Sequence, residues 1–167
     1  MDQPNNKLGI LSLQFYSYPD EVGGAWRLTY EVNKRLVEKG HRVFLITCKP
    51  TPDLPDYEVI DGVHYYRVGL RQSKSVINFY WELKKIVNII LEKQVIDLIH
   101  SHNPLVDFLT LSVSSLWGIP RIYHFHSLWY DEEKINRCSR NYSRFKLLAL
   151  LNVIRLIEWT CFYVARS

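Results

Sequence analysis

The sequence predicts an α/β fold in which helices flank a mostly parallel β-sheet. Short apolar runs of strand length alternate with longer amphipathic segments along the whole chain. Glycine or proline stands where several of these segments end. Of the 167 residues, 47% are hydrophobic, which is enough to build one buried core. Because strands alternating with helices are typical of a parallel sheet, we expect a Rossmann-like domain spanning residues 1–167.

The first part of the chain predicts a β-α-β unit. "LGILSLQF" at residues 8–15 has the length and apolarity of a buried strand, and residues 25–39 carry apolar side chains at helical spacing. Gly40 is placed to end that helix. "HRVFLITC" at residues 41–48 then predicts a second strand. Two strands joined by a helix pair in parallel.

The alternation continues to the end of the sequence. "CKPTPDLPDYEVIDGV" contains three prolines and predicts a loop, with Asp61–Gly62 as the turn that leads into a strand at 63–70. The segments expected after it are a helix at 75–94, a strand at 95–102, a helix at 104–117, a stop at 118–120, a strand at 121–129 that runs into a loop, and a helix at 142–164. Because no strand follows the last helix, we expect a longer protein of which this chain is a part.

The charge is distributed unevenly. The net charge is +4, yet from Lys134 to Ser167 there are seven Lys or Arg residues and one acid, Glu158. A nucleic-acid surface over the whole chain is therefore not expected. The basic stretch also carries apolar side chains on a predicted helix. We expect either contact with an anionic membrane surface through residues 134–166, or ordinary packing of an amphipathic helix on the sheet or on another domain.

The sequence favours a cytoplasmic location, with peripheral attachment to a membrane as an option. The three cysteines lie far apart, which is typical of reduced thiols, and the N-terminus lacks the pattern of a signal peptide. Arg155 and Glu158 interrupt the longest apolar stretches. We therefore expect no segment that could span a membrane.

Residues that could carry chemistry follow the predicted strands at one edge of the sheet, where this class of fold binds ligands. They are a glycine pair and two His-x-His pairs: Gly23 and Gly24, His100 and His102, and His124 and His126. A glycine turn that leads into a helix N-terminus can bind an anion, although a tight turn needed only for chain reversal would look the same. Since side chains alternate along a strand, the two histidines of each pair should point the same way.

Two His-x-His pairs on neighbouring strands would suit zinc. No acidic or thiol ligand accompanies them at matching spacing, so we expect neither a metal nor another cofactor. His100 and His124 lie deeper in their strands and are expected to be structural. A Gly-x-Gly-x-x-Gly fingerprint, a P-loop lysine and a nucleophile elbow are missing, which excludes the common dehydrogenase, kinase and hydrolase patterns.

Three segments in order carry a family resemblance. "FYSYPDEVGGAWRLTYEVNKRLVEKGHRVFLIT", "DLIHSHNP" and "GIPRIYHFHSLW" resemble retaining glycosyltransferases of the GT-B fold, of the family 4 type. The resemblance covers about residues 8–167 and only the N-terminal, acceptor-side domain of those enzymes.

The resemblance implies roles for individual residues. Gly23 and Gly24 would place backbone amides against the diphosphate and sugar of a nucleotide-sugar donor. His126 would lie beside the transferred sugar and act in catalysis by orienting the reacting groups, and His102 would line the acceptor side. Ser127, also on the acceptor side, stands where the family often has glycine.

Aromatic side chains near the predicted cleft have two interpretations. Tyr18, Trp129 and Tyr130 could stack on sugar rings, which would place Tyr18 on the acceptor side. They could equally seal the face between two domains.

The implied activity is transfer of a sugar from a nucleotide sugar to a sugar or lipid-linked acceptor, with retention and without a metal. The family's Glu-x7-Glu motif belongs to a C-terminal, nucleotide-sugar-binding domain absent from this sequence, so we expect the isolated chain to be inactive. One alternative is a non-catalytic acceptor-binding or membrane-recruiting subunit that pairs with a separate catalytic chain. Another is a different GT-B enzyme, such as a nucleotide-sugar epimerase.

Overall fold

A sheet with helices packed against it forms the part of the chain that the computed structural model describes, residues 7–69, 75–138 and 143–165. Its strands are β1 (Gly9–Leu13), β2 (Arg42–Cys48), β3 (Tyr57–Ile60), β4 (Val63–Val68), β5 (Leu98–Ser101) and β6 (Arg121–Tyr123). Its helices are α1 (Gly24–Glu38), α2 (Val76–Lys93), α3 (Pro104–Leu111), α4 (Trp129–Cys138) and α5 (Arg144–Val164), with a short 3-10 turn at Ser114–Leu116. The predicted α/β class is confirmed.

The order of the strands determines where a ligand can enter. The six-stranded sheet runs β3-β4-β2-β1-β5-β6, and every neighbouring pair is parallel except β3 with β4. From β1 the chain moves to β2 on one side, and later to β5 on the other. This reversal of direction opens a crevice at the carboxyl ends of β1 and β5.

Alternating side chains of the central strands form a core on each face of the sheet. Leu11 and Phe44 point to the face covered by α2, where they pack with Phe79. Ile10 and Val43 point to the opposite face, against the side of α1. Every residue of β1 is buried, which is typical of a central strand in a parallel sheet.

Strand β3 lies in the segment predicted as a loop, and that prediction was wrong for residues 57–60. Ile60 pairs with Val63 in antiparallel register. The two residues between them, Asp61 and Gly62, have φ angles of 47° and 78°. A two-residue turn with both φ angles positive closes a β-hairpin, so Asp-Gly joins two strands here.

Several predicted elements are shorter in the structure, and two of them lose six residues each. The strand expected at 121–129 ends at Tyr123, because its partner β5 ends at Ser101 and the chain then turns into α3. The side chain of Asn103 caps that helix by accepting hydrogen bonds from two backbone amides. Helix α3 ends at Leu111 instead of continuing to residue 117, and the Ser112 hydroxyl donates to a backbone carbonyl one turn back.

Helix α4 is an element that the sequence analysis missed, having assigned its residues to a loop. It packs against α5. The presence of α5 confirms the last predicted helix over residues 144–164. Residue 142 of that prediction and residue 70 of the predicted third strand lie outside the described residues.

The expectation that no segment could span a membrane was wrong. By length and composition, α5 qualifies, with 21 residues and a mean hydropathy of 1.6 over an 18-residue window. Core helices of soluble proteins can have the same length and composition. One side of α5 is packed within the domain, through Leu151, Ile154 and Glu158 among others.

Candidate functional site

A cleft of about 270 Å³ opens at the carboxyl ends of β1, β5 and β6, as predicted for this class of sheet. The start of α1, the β5–α3 loop and the segment after β6 form its walls. The residues that line the cleft include Gly23, Gly24, His102, Asn103, His126 and Ser127.

The two glycines at the start of α1 have different surroundings. Gly23 is extended, with φ −174°, which any residue adopts, but a Cβ there would lie 2.6 Å from Cε3 of Trp26. A Cβ on Gly24 would meet nothing within 4 Å. Packing therefore explains Gly23. The protein's own packing does not require Gly24, which borders the open cleft.

The N-terminus of α1 also presents positive potential to the cleft. The first backbone amides of a helix have no partner within the helix. No side chain among the described residues caps α1, and its first turn contains no acidic residue. No carboxylate of the first turn therefore neutralises the partial positive charge of the helix dipole, which suits an anionic group.

Four imidazole rings from β5 and the segment after β6 stack into a histidine column, which consists of His100, His102, His124 and His126. Ring centroids are 4.1 Å apart for His100 and His102, and 4.6 Å apart for His124 and His126. The rings of His102 and His124 join the two pairs at 5.2 Å. The prediction that the histidines of each pair point the same way is confirmed.

His102 links the column to the cleft. Its Nδ1 lies 3.2 Å from Nε2 of His126, within hydrogen-bonding distance. His102 is 4% exposed, and its Nε2 is buried without a hydrogen-bond partner among the described residues. Both rings line the cleft, whereas His100 and His124 are not among its lining residues.

Burial favours the neutral form of His100, His102 and His126. It lowers the pKa of His102 to about 2, and the neighbouring rings of the column add to the effect. Burial also lowers the pKa of His100 to about 4, again assisted by its neighbours. The pKa of His126 is lowered by burial and by His124. At neutral pH His126 can therefore orient a polar group by hydrogen bonding, without carrying a charge.

Of the other two residues predicted on the acceptor side, Ser127 lies in the cleft and Tyr18 does not. Ser127 lines the cleft, and its hydroxyl donates to the carboxylate of Glu132. Tyr18 is not among the lining residues. Its ring packs edge-on against Tyr30, and the Arg27 guanidinium lies 4.3 Å from its centre.

Gln14, Asn103 and Glu132 are among the cleft residues that the sequence analysis did not identify. Gln14 is 3% exposed, and its side chain bridges Thr29 and the backbone amide of Phe15. Asn103 precedes a proline and an apolar run, which is a helix-cap signal that could have identified it. Glu132 belongs to α4, so no local signal pointed to it.

Comparisons with known proteins show the family of this chain. A model of Glycosyltransferase Family 4 matches residues 22–163. An uncharacterized glycosyltransferase from Methanocaldococcus jannaschii is 28% identical over 138 residues, which cover 80% of this chain and 33% of that protein. The chain thus spans about a third of the length of that curated relative.

Solved structures show the same fold. Sucrose-phosphate synthase from Thermosynechococcus elongatus matches with a TM-score of 0.65 at 15% identity, covering 87% of this chain and 40% of that chain. A second structure of that enzyme gives a TM-score of 0.53 at 13% identity, covering 77% of this chain and 69% of that chain. The predicted resemblance to an N-terminal GT-B domain is confirmed. Because the family model extends from the glycine pair almost to the end of α5, the chain belongs to glycosyltransferase family 4.

Proposed function

We propose that this chain is the N-terminal, acceptor-side domain of a retaining glycosyltransferase that uses a nucleotide-sugar donor. The observation that carries the proposal is a shared cleft: the uncapped N-terminus of α1, with Gly24 at its edge, opens onto the same space as His126. An anion-binding helix end beside a neutral, hydrogen-bonding imidazole suits a sugar that is attached to a diphosphate.

In the proposed reaction the first turn of α1 holds the donor diphosphate. Negative charge grows on the diphosphate oxygen as its bond to the sugar breaks, and the exposed amides at Gly23 and Gly24 stabilise that charge. A cation from a second domain would complete the neutralisation, so the proposal requires no metal.

His126 is proposed to orient the reacting groups by a hydrogen bond to the sugar or to the acceptor. The acceptor hydroxyl attacks the anomeric carbon on the face from which the diphosphate departs, which retains the configuration. The departing diphosphate oxygen takes the hydroxyl proton. The neutral imidazole therefore need not act as a general base.

A transfer assay tests the activity. Radiolabelled nucleotide sugars and a set of sugar and lipid-linked acceptors are supplied to the native polypeptide and to the 167-residue chain. We expect product with a retained anomeric configuration from the native polypeptide, and negligible turnover from the 167-residue chain, since it lacks the Glu-x7-Glu motif.

Each other outcome contradicts a specific part of the proposal. Robust turnover by the 167-residue chain would remove the need for a second domain. Sugar isomerisation without an acceptor would identify an epimerase. Binding of acceptor without any transfer by the native polypeptide would identify a recruiting subunit.

Substitution of the two glycines tests the donor site. Gly24→Ala places a methyl group at the edge of the cleft, where it meets none of the described residues, so we expect donor affinity to fall about 10-fold with little change in folding stability. Gly23→Ala should instead cost about 1–3 kcal/mol of stability, because the methyl group meets Trp26. Calorimetry with the donor from the transfer assay, combined with urea unfolding, measures both.

The matched control for the glycine pair is Gly69→Ala, which makes the same change away from the cleft, with the nearest atom at an ordinary 3.7 Å. It should leave donor affinity unchanged. Equal donor affinity for Gly24→Ala and Gly69→Ala would show that the glycine pair serves only the turn.

The outer face of α5 favours a second role, peripheral binding to an anionic membrane. A stripe of exposed apolar side chains runs along this face at helical spacing: Phe145, Leu148, Leu156, Trp159 and Tyr163. Basic residues accompany it, namely Arg144, Lys146 and Arg155. Membrane-surface helices typically combine apolar side chains, which enter the lipid interface, with cations, which meet anionic headgroups.

Residues 139–142 and 166 of the predicted 134–166 patch lie outside the described residues.

Liposome flotation tests this role. We expect the protein to float with vesicles that contain phosphatidylglycerol and to remain in solution with pure phosphatidylcholine. The double variant Leu156→Ser/Trp159→Ser should lose the shift, whereas Ile77→Ser, which alters an equally exposed apolar residue on α2, should keep it. Absence of any lipid-dependent shift would assign this face to packing against another domain.

A further inference from the structure

The histidine column contains a group of metal-ligating atoms that the proposed transferase chemistry does not use. Among the residues that the structure describes, His100, His102 and His124 form a group of candidate ligands, with one ligand nitrogen from each ring within 4.8 Å of the others. His100 and His124 do not line the cleft, so donor and acceptor binding do not account for them.

The buried nitrogen of His102 supplies an independent reason to expect a ligand at this place. Its Nδ1 is already engaged with His126, and its Nε2 has no hydrogen-bond partner among the described residues. An unsatisfied polar atom at a side chain only 4% exposed is costly, by about 1–3 kcal/mol. A bound cation that takes the lone pair of this nitrogen would remove the cost.

We propose that His100, His102 and His124 bind a single transition-metal ion of the Zn²⁺ type. Three imidazoles are a sufficient set of protein ligands for zinc, and they leave a fourth position open. Zinc–nitrogen bonds of about 2.0–2.1 Å in a tetrahedral site require the nitrogens to approach one another by up to about 1.4 Å, so the rings must rotate when the ion binds. The sequence-based expectation of no metal rested on the lack of acidic and thiol ligands, and a set of three imidazoles requires neither kind of ligand.

The ion would determine the positions of the imidazole protons on His102 and, through it, on His126 in the cleft. With the metal on Nε2 of His102, the neutral ring must carry its proton on Nδ1. That proton is then donated to Nε2 of His126, which leaves the proton of His126 on its Nδ1. Metal binding thus determines which nitrogen of His126 is a donor, while the ion itself takes no part in neutralising a diphosphate.

Titration of the 167-residue chain with ZnCl₂ and CoCl₂ tests the site. Calorimetry should give one ion per chain with a Kd of about 1 μM or below. Co²⁺ should produce the visible absorption bands of a four-coordinate site. Nitrogen-15 NMR of the imidazoles should show His102 with its proton on Nδ1 once Zn²⁺ is bound.

Variants distinguish this site from adventitious binding. His124→Ala and His100→Ala should each weaken Zn²⁺ binding by at least about 10-fold, since each removes one of three ligands. His64→Ala removes a histidine outside the column and should keep full affinity. If either ligand variant fails to fold, as judged by circular dichroism, the Co²⁺ spectrum and the imidazole NMR of the unaltered chain still test whether the three histidines bind the ion. Weak binding with more than one ion per chain, or an equal loss in His64→Ala, would overturn the proposal.

Discussion

Arg67 and Asp20 form a buried ion pair beside the loop that carries the glycine pair. Nε of Arg67 lies 2.6 Å from Oδ2 of Asp20, and Nη2 lies 2.9 Å from Oδ1. The two side chains are only 1% and 3% exposed. Because Arg67 belongs to β4 and Asp20 to the segment between β1 and α1, the pair ties one wall of the cleft to the sheet.

Removal of Asp20 should be strongly destabilising. Asp20→Ala leaves the Arg67 guanidinium buried, with Glu58 as its remaining carboxylate partner at 2.9 Å. We expect a loss of about 3 kcal/mol in the free energy of unfolding, measured by urea denaturation. Asp56→Ala is the matched control, because Asp56 pairs with Lys49 but is 84% exposed and should cost less than about 1 kcal/mol. Similar costs for the two variants would contradict the argument.

At the residue scale, sequence reasoning located the glycines and the histidines but did not separate their roles. Gly23 and Gly24 look alike in the sequence, and only the position of the Trp26 ring distinguishes them. Tyr18 was expected on the acceptor side, yet its ring packs on Tyr30, which is distant in sequence. Such placements depend on neighbours that no local pattern reveals.

At the scale of elements, α4 illustrates why a helix can be missed. Its N-terminus is capped from a distance: the carboxylate of Glu158, on α5, accepts a hydrogen bond of 2.6 Å from the backbone amide of Trp129. Glu158 is 5% exposed, and burial raises its pKa. A cap supplied by another helix cannot be recognised from the residues that begin α4.

Loss of that cap should loosen α4 selectively. Glu158→Ala removes the acceptor for the Trp129 amide, so we expect a cost of about 1–2 kcal/mol and faster hydrogen exchange in residues 129–138. Exchange in α1 should change much less. Glu92→Ala, an exposed glutamate on α2, serves as the control. Unchanged exchange in α4 would show that its packing alone holds the helix.

At the scale of the whole molecule, the buried histidines link stability to pH. The pKa of His100 is lowered from 6.5 to about 4 in the folded state. Between these values the unfolded chain binds the proton and the folded chain does not. The stability that depends on a neutral His100 is therefore fully present above pH 6.5 and is lost as the pH falls toward 4.

The expected size of this effect is up to about 3 kcal/mol from His100, since one pKa unit corresponds to about 1.4 kcal/mol. Urea unfolding at pH 7.5, 6 and 5, with EDTA present to exclude metal, measures it. His100→Gln cannot take up the proton and should show a shallower decline than the unaltered chain. An equal decline in the free energy of unfolding for the two proteins would show that protonation of His100 is not the cause of the pH dependence.

The sequence by itself determined the α/β class, the β-α-β start, the glycine pair at a helix N-terminus, and the histidines at the strand ends. These follow from local spacing, because hydrophobic periodicity and turn residues act over a few neighbouring positions. Only the tertiary structure decided the order of the six strands, the capping of α4 by Glu158 and the meeting of four imidazoles in one column. Those features depend on contacts between residues far apart in the chain, and such contacts form only when the whole sheet assembles.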